Sequence, residues 1–156
     1  KAKIVDTRKT LPGLRHALKY AVRVGGGTNH RMGLFDGILI KENHIAAAGS
    51  IAAALAQAKS IAPDGVFIQV EVETLEQLDE ALSHGATMIL LDNMSQENHL
   101  EAVRRSDGRA VLEISGGVTL DRVRELALTG VDRISIGHLT KDIKSIDYSM
   151  RFQIDE

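Results

Sequence analysis

From Val66 onward, apolar runs of strand length begin near residues 66, 88, 110 and 132, one every 22 residues, with a helical pattern in each interval. Regular β-α alternation with continuously apolar strands means a parallel sheet whose faces are covered by helices. Two earlier runs precede this array, so six strands are expected: "KIVDT" (3 to 7), "GILIK" (37 to 41), "VFIQVEV" (66 to 72), "TMILLD" (87 to 92), "AVLEIS" (110 to 115) and "VDRISIG" (131 to 137). A doubly wound sheet and a barrel both fit that order. The strand ends separate them. Read to their C-terminal ends, the runs deliver Arg8 and Lys9, Lys41, Glu71, Asp92, Ser115-Gly116-Gly117 and Gly137-His138. An open sheet concentrates its ligands at one switch point, whereas a barrel brings every strand end to one mouth. An α/β barrel of about six strands is therefore the expected fold.

The intervals supply the helices. Leu14, Leu18 and Val22 stripe a first helix after Pro12, and an alanine-rich helix runs from about 50 to 62. Thr74 and Gln77 have capping-box spacing, while Ser95 and Thr119 read as N-caps of the next two helices. At 156 residues the chain is one domain in size and short for an eight-fold barrel. It opens on a lysine directly before a strand, which suggests a piece of a longer protein. With no charged-then-apolar leader and no long apolar run, a cytoplasmic location without membrane attachment is the expectation.

The net charge of -2 hides an asymmetry: residues 1 to 41 carry +7 and the remainder -9. A basic front points to an anionic ligand. Arg15, Lys19 and Arg23 fall on helix positions that water serves well. Arg8, Lys9, Arg31 and Lys41 instead sit at strand ends and in the glycine loop "GGGTNHR", with His30 beside Arg31. Arginine forks pair bidentately with carboxylate or phosphate, so this group suits a small di- or polyanion, and the glycines allow close backbone approach.

Glu71 and Asp92 end the two middle strands. Neighbouring carboxylates favour a cation or sugar hydroxyls between them, giving a Mg2+ or ribose site; an ion pair with Lys9 or Lys41 explains them equally well. Glu113 stands just before its strand end and could face either way. Ser115-Gly116-Gly117 and Gly137-His138-Leu-Thr-Lys141 expose backbone N–H groups before helices and suit phosphate. His16, His84 and His99 read as solvated, and His44 and His138 lack metal-ligand spacing. Neither a cysteine nor a Ser-His-Asp arrangement suggests a covalent nucleophile.

"DTRKTLPGLRHALKYAV", "GGGTNHRMGLFDGILIKENHI", "VEVETLEQLDEAL", "ILLDN", "EISGGVT", "GVDRISIGHLTK" and "IDYSMRF" together resemble the quinolinate phosphoribosyltransferase family, in order and over essentially the whole chain. The resemblance implies an incomplete barrel of the type II phosphoribosyltransferase kind, spanning residues 1 to 156. It implies reaction of quinolinate with 5-phosphoribosyl 1-pyrophosphate and Mg2+ to give nicotinate mononucleotide, pyrophosphate and CO2 in NAD biosynthesis. By position, Arg8, His30, Arg31 and Lys41 would hold quinolinate. Lys9, Glu71 and Asp92 would serve catalysis, with Glu71 and Asp92 toward Mg2+, and Ser115, Gly116, Gly137 and Lys141 would bind phosphate. The family also implies an N-terminal α/β domain and an arginine from the neighbouring subunit of a homodimer, both outside these residues. Val24 stands where many members carry cysteine, a packing change expected to be harmless.

Two other readings are a phosphoribosyltransferase-like paralogue of molybdenum transport loci, which lacks a close match to "LIKENH", and a non-catalytic module binding anions or nucleic acid. The scattered cations and scarce aromatics speak against nucleic acid.

Overall fold

The strands form where the apolar runs lie, and they alternate strictly in what each side chain meets. In the computed structural model, which describes residues 2–153, β1 is Lys3–Val5, β2 Gly37–Ile40, β3 Phe67–Val72, β4 Met88–Asp92, β5 Val111–Ser115 and β6 Arg133–Ser135. All pair in parallel, in the order β1-β6-β5-β4-β3-β2. Each strand from β2 onward lies beside its successor and β6 returns to β1. That is the cyclic order of a barrel, without the reversal of a doubly wound sheet.

β1 and β2 do not pair, so the wall has a seam. Thr28 fills it by donating its N–H to the Ile4 carbonyl (2.8 Å) and accepting from the Asp6 N–H (3.1 Å). Arg31 then reaches β2, its Nη1 donating to the Gly37 carbonyl at 2.9 Å. The glycine loop thus supplies the missing stave.

Ile40, Val70, Val72, Ile89, Leu91, Leu112, Ile114 and Ile134 face outward and belong to the hydrophobic core. Against them pack α3 (Ile51–Ile61), α4 (Leu75–Ser83) and α5 (Gln96–Ser106) through Leu55, Leu78 and Ala102. Ser50, Thr74 and Ser95 cap these helices, each side chain accepting from the third backbone N–H beyond it. Thr119 does not cap: α6 is Val123–Ala127, preceded by Arg122, and the Thr119 carbonyl instead accepts from the Arg122 N–H in the turn before it. The first helix, α1 (Arg15–Val24), lies beside the last, α7 (His138–Lys141); a short α2 (Glu42–Ala48) follows β2. Among the described residues no helix is long and apolar enough to cross a membrane.

The interior is polar. Gln69, Glu113 and Ser135 point into it and are almost wholly buried; Glu113 stands in register with Leu90 and Arg133 on the neighbouring strands.

Candidate functional site

The same alternation that buries Val70 and Val72 turns Gln69 and Glu71 inward, and likewise Glu113 with Ser115 and Arg133 with Ser135. Two adjoining cavities open at the C-terminal ends of the strands. One, of about 360 Å³, is lined by Arg8, His30, Arg31, Glu113 and others. The second, of about 320 Å³, is lined by Asp92, Gly116, Gly137, Lys141 and their neighbours. Lys9, Lys41, Glu71 and Ser115 line both. Every strand end singled out from the sequence therefore reaches one mouth. A larger hollow of about 630 Å³ lies outside β1, between α1 and α7; among the described residues Lys3 is its one charged lining residue, so the chemistry is at the mouth.

The cationic side is rigidly supported. Asp6, fully buried at the end of β1, accepts from the His30 N–H (2.8 Å) and from Asn29 Nδ2 (2.6 Å), and pairs with Lys19 Nζ. Lys19 also donates to the His30 carbonyl at 2.9 Å. Lys19 is thus no solvated helix residue: it is 1% exposed, because the carboxylate it neutralises lies inside the wall. Arg15 likewise turns inward, donating to the Arg8 carbonyl (3.0 Å) and the Met32 carbonyl (3.2 Å), so one guanidinium ties two loops together. Of the three helix cations, Arg23 alone remains exposed, over the Tyr20 ring.

His30 is committed on both ring nitrogens. Nδ1 accepts the Arg31 N–H at 2.7 Å, leaving Nε2–H to donate to Gln69 Oε1 at 2.8 Å, with Glu113 Oε1 3.6 Å away. Burial pushes this imidazole below its ordinary pKa, against the pull of Glu113. His30, expected from the family resemblance to hold the anion, lines the cationic cavity beside Arg8 and Arg31 while its Nδ1 accepts from the Arg31 backbone N–H. Glu113 resolves inward, ion-paired with Arg133 Nε at 2.9 Å and accepting from Ser135 Oγ. Arg31 is itself held somewhat below its usual range by burial and by neighbouring Arg8. Arg8 Nε is buried without a hydrogen-bond partner among the described residues.

Lys41 and Glu71 form the contact left open by the sequence. Lys41 Nζ lies 2.9 Å from Glu71 Oε1 and 2.7 Å from Oε2. The Lys41 N–H donates to His44 Nδ1 at 3.0 Å, which gives His44 a structural task at the start of α2. Asp92 stands apart from this pair and accepts from Asn93 Nδ2 at 2.8 Å. Gly116 has φ +94°, and a Cβ there would lie 2.1 Å from Asn93 Oδ1. Only glycine fits. Gly137 has the aliphatic stems of Lys9 and Lys141 at 3.9 and 3.7 Å from where its Cβ would be, and Thr140 Oγ1 donates to the Lys9 carbonyl at 2.7 Å. The first and last loops are thereby joined.

Residues 1–151 match the family model described as quinolinate phosphoribosyl transferase, C-terminal domain. The chain belongs to the quinolinate phosphoribosyl transferase family. It is 51% identical over 148 residues to a probable nicotinate-nucleotide pyrophosphorylase [carboxylating] of Bacillus subtilis, covering 95% of this chain and 51% of that protein. It is 50% identical over 153 residues to the Mycobacterium leprae nicotinate-nucleotide pyrophosphorylase [carboxylating], covering 96% and 54%. The crystal structure of NadC from Streptococcus pyogenes superposes with a TM-score of 0.92 at 46% identity, over 97% of this chain and 53% of that one. The chain thus spans about half the length of these relatives. A thiamine phosphate pyrophosphorylase from Pyrococcus furiosus, at 18% identity and TM-score 0.58, shares the fold.

For this family member, sequence reasoning missed Asp6, Lys19, Arg15, Gln69 and Arg133. Counting back in twos from the strand ends finds Gln69 and Arg133. Nothing local marks Lys19 as buried.

Proposed function

We propose that this mouth transfers the phosphoribosyl group of 5-phosphoribosyl 1-pyrophosphate to quinolinate with loss of CO2, giving nicotinate mononucleotide and pyrophosphate for NAD biosynthesis. The observation that carries the reading is the pair of adjoining cavities: a cationic one with Arg8 and Arg31, a glycine-lined one with Asp92, Gly116 and Gly137, and Lys9, Lys41, Glu71 and Ser115 shared. Arg8 Nε, buried and without a hydrogen-bond partner among the described residues, supports an anion ligand on the first side.

In this reading Arg8, Arg31 and Lys41 take the two carboxylates, with His30 orienting Arg31. Ser115, Gly116, Gly137 and Lys141 take phosphate, and Lys9 bridges the two. Holding the ring nitrogen against the anomeric carbon supplies proximity. The nitrogen lone pair forms the new C–N bond as the C–O bond to pyrophosphate breaks, its electrons leaving with pyrophosphate. Glu71 and Asp92 favour positive charge developing on the sugar. The ring nitrogen, now cationic, accepts the electron density released when the adjacent C–C bond breaks and CO2 leaves; a proton then adds at that ring carbon.

Among the described residues no group of three or more His, Cys, Asp or Glu is arranged for a metal. Glu71 and Asp92 nonetheless line one polar cavity, and Mg2+ is commonly held by one or two carboxylates plus substrate phosphates, so the residues fit it. When bound, Mg2+ would neutralise charge on the departing pyrophosphate. The family resemblance further suggests a cytoplasmic homodimer in which an N-terminal domain and a neighbouring subunit's arginine complete the dicarboxylate side.

Arg31→Ala in the full-length protein tests the reading. Quinolinate affinity should fall at least tenfold and nicotinate affinity far less, since only quinolinate has both carboxylates. Equal losses would refute it.

A further inference from the structure

The Lys41–Glu71 pair sits on the boundary between the two cavities and lines both. Its two members are unequal. Glu71 is fixed on β3 and only 9% exposed, with both oxygens within 2.9 Å of one ammonium. Lys41 follows β2, and its side chain is 44% exposed. The His44 ring holds its backbone N–H, so movement there belongs to the side chain. Glu71 is therefore the stationary partner and Lys41 the one able to change partners. While paired, they cancel: Lys41 is drawn from the dicarboxylate side and Glu71 is neutralised on the carboxylate side, leaving Asp92 to face a cation alone.

We propose that this ion pair determines specificity by making the cation-binding state of Glu71 depend on a second carboxylate of the ligand reaching Lys41. This deepens the function proposed above and rests on it. A dicarboxylate that draws Lys41 away releases Glu71 from its ion pair in the cavity that Asp92 also lines, so that two carboxylates rather than one can meet a cation there. A monocarboxylate that is satisfied by Arg8 and Arg31 leaves the pair closed and the cation site weak. The dicarboxylate then selects for itself twice, once through its own contacts and once through the binding of the phosphoribosyl donor with its cation. By linkage the effect is reciprocal: the donor with its cation must tighten the dicarboxylate by the same factor.

The test uses the full-length protein and Mn2+ as the spectroscopic probe, with free Mn2+ read by electron paramagnetic resonance in the presence of 5-phosphoribosyl 1-pyrophosphate. Benzene-1,2-dicarboxylate serves as the dicarboxylate, because it lacks the ring nitrogen and cannot react; benzoate serves as the monocarboxylate. Calorimetry first establishes that each binds. The expected result is that the dicarboxylate tightens Mn2+ binding about fivefold or more, the lower end of ordinary coupling between sites, and that saturating benzoate changes it less than twofold. Lys41→Met should bind Mn2+ tightly from the outset, with no further response to the dicarboxylate. Glu71→Gln should bind the dicarboxylate more tightly than wild type, because Lys41 is released, and should also lose the coupling. Dicarboxylate binding that leaves Mn2+ affinity within twofold in the wild type would overturn the inference while sparing the proposed function. Failure of the dicarboxylate to bind would overturn both.

Discussion

Replacing Lys19 by methionine removes one charge from the pair that holds the glycine loop against β1. Lys19 and Asp6 are 1% and 0% exposed, so the carboxylate cannot recover its lost partner from water. It would retain Asn29 Nδ2 at 2.6 Å and the His30 N–H at 2.8 Å, but no countercharge. Breaking a buried pair from one side costs about 3–5 kcal/mol. For a domain of this size that lowers Tm by roughly 6–20 °C. Differential scanning calorimetry of the full-length protein should show this loss in the transition that contains the barrel. The double variant Asp6→Asn/Lys19→Met should lose less stability than the sum of the two single losses, by about 1 kcal/mol or more, the signature of direct interaction. Because Asp6 and Lys19 both hold His30, Lys19→Met should also raise KM for quinolinate more than it lowers kcat. A Tm change below about 3 °C, or strict additivity in the cycle, would refute the claim that this pair supports the site.

Three further outcomes are expected. Gly116→Ala, strained at φ +94° and driven into Asn93, should cost about 2 kcal/mol or more and raise KM for the phosphoribosyl donor at least tenfold; Gly117→Ala, with φ +55° and open space around its Cβ, should cost about 1 kcal/mol. His99→Leu should be neutral or stabilising by about 1 kcal/mol at pH 7.5, since both ring nitrogens are buried without partners among the described residues. Burial lowers the folded-state pKa of His99 below its unfolded value near 6.5, with Arg122 adding to the shift, so the unfolded state binds the proton more readily and wild-type stability falls as pH drops below about 6.5; the Tm advantage of His99→Leu should therefore be larger at pH 5.5 than at pH 7.5, and an unchanged gap would contradict the assignment. Asp92→Asn should depress turnover in Mg2+ while quinolinate affinity stays within about threefold of wild type, which calorimetry can check; a collapse of quinolinate affinity would move Asp92 to the other cavity.

The strands and their convergence were legible because each apolar run ends in a polar group and side chains alternate with period two. Thus Glu71 and Asp92 fix the inward phase of β3 and β4, and counting back in twos from the strand ends places Gln69 and Arg133 inside; Glu113, left open by the sequence, is turned inward by its ion pair with Arg133. The partner of Glu71 was not legible. Lys9 and Lys41 are both long, flexible cations near that strand end, and only geometry distinguishes them. Lys19 escaped detection for a related reason: on α1 it neighbours Leu18 and reads as an amphipathic surface position, until Asp6, just past the end of β1, makes burial tolerable. His99 was misread as solvated because Gln96, Glu97 and Asn98 beside it suggest an exposed turn of α5, although its own position faces the packed side with Ala102. Thr119 has the residue type of an N-cap, but the chain makes a turn through Leu120–Arg122 before α6 begins.

The most direct test of the central claim is product formation by the full-length protein given quinolinate carrying a labelled 2-carboxyl group, 5-phosphoribosyl 1-pyrophosphate and Mg2+. Nicotinate mononucleotide, pyrophosphate and labelled CO2 should form in equal amounts, with nicotinate a poor substitute for quinolinate. Absence of nicotinate mononucleotide under conditions where the protein is folded and binds both ligands would contradict the claim.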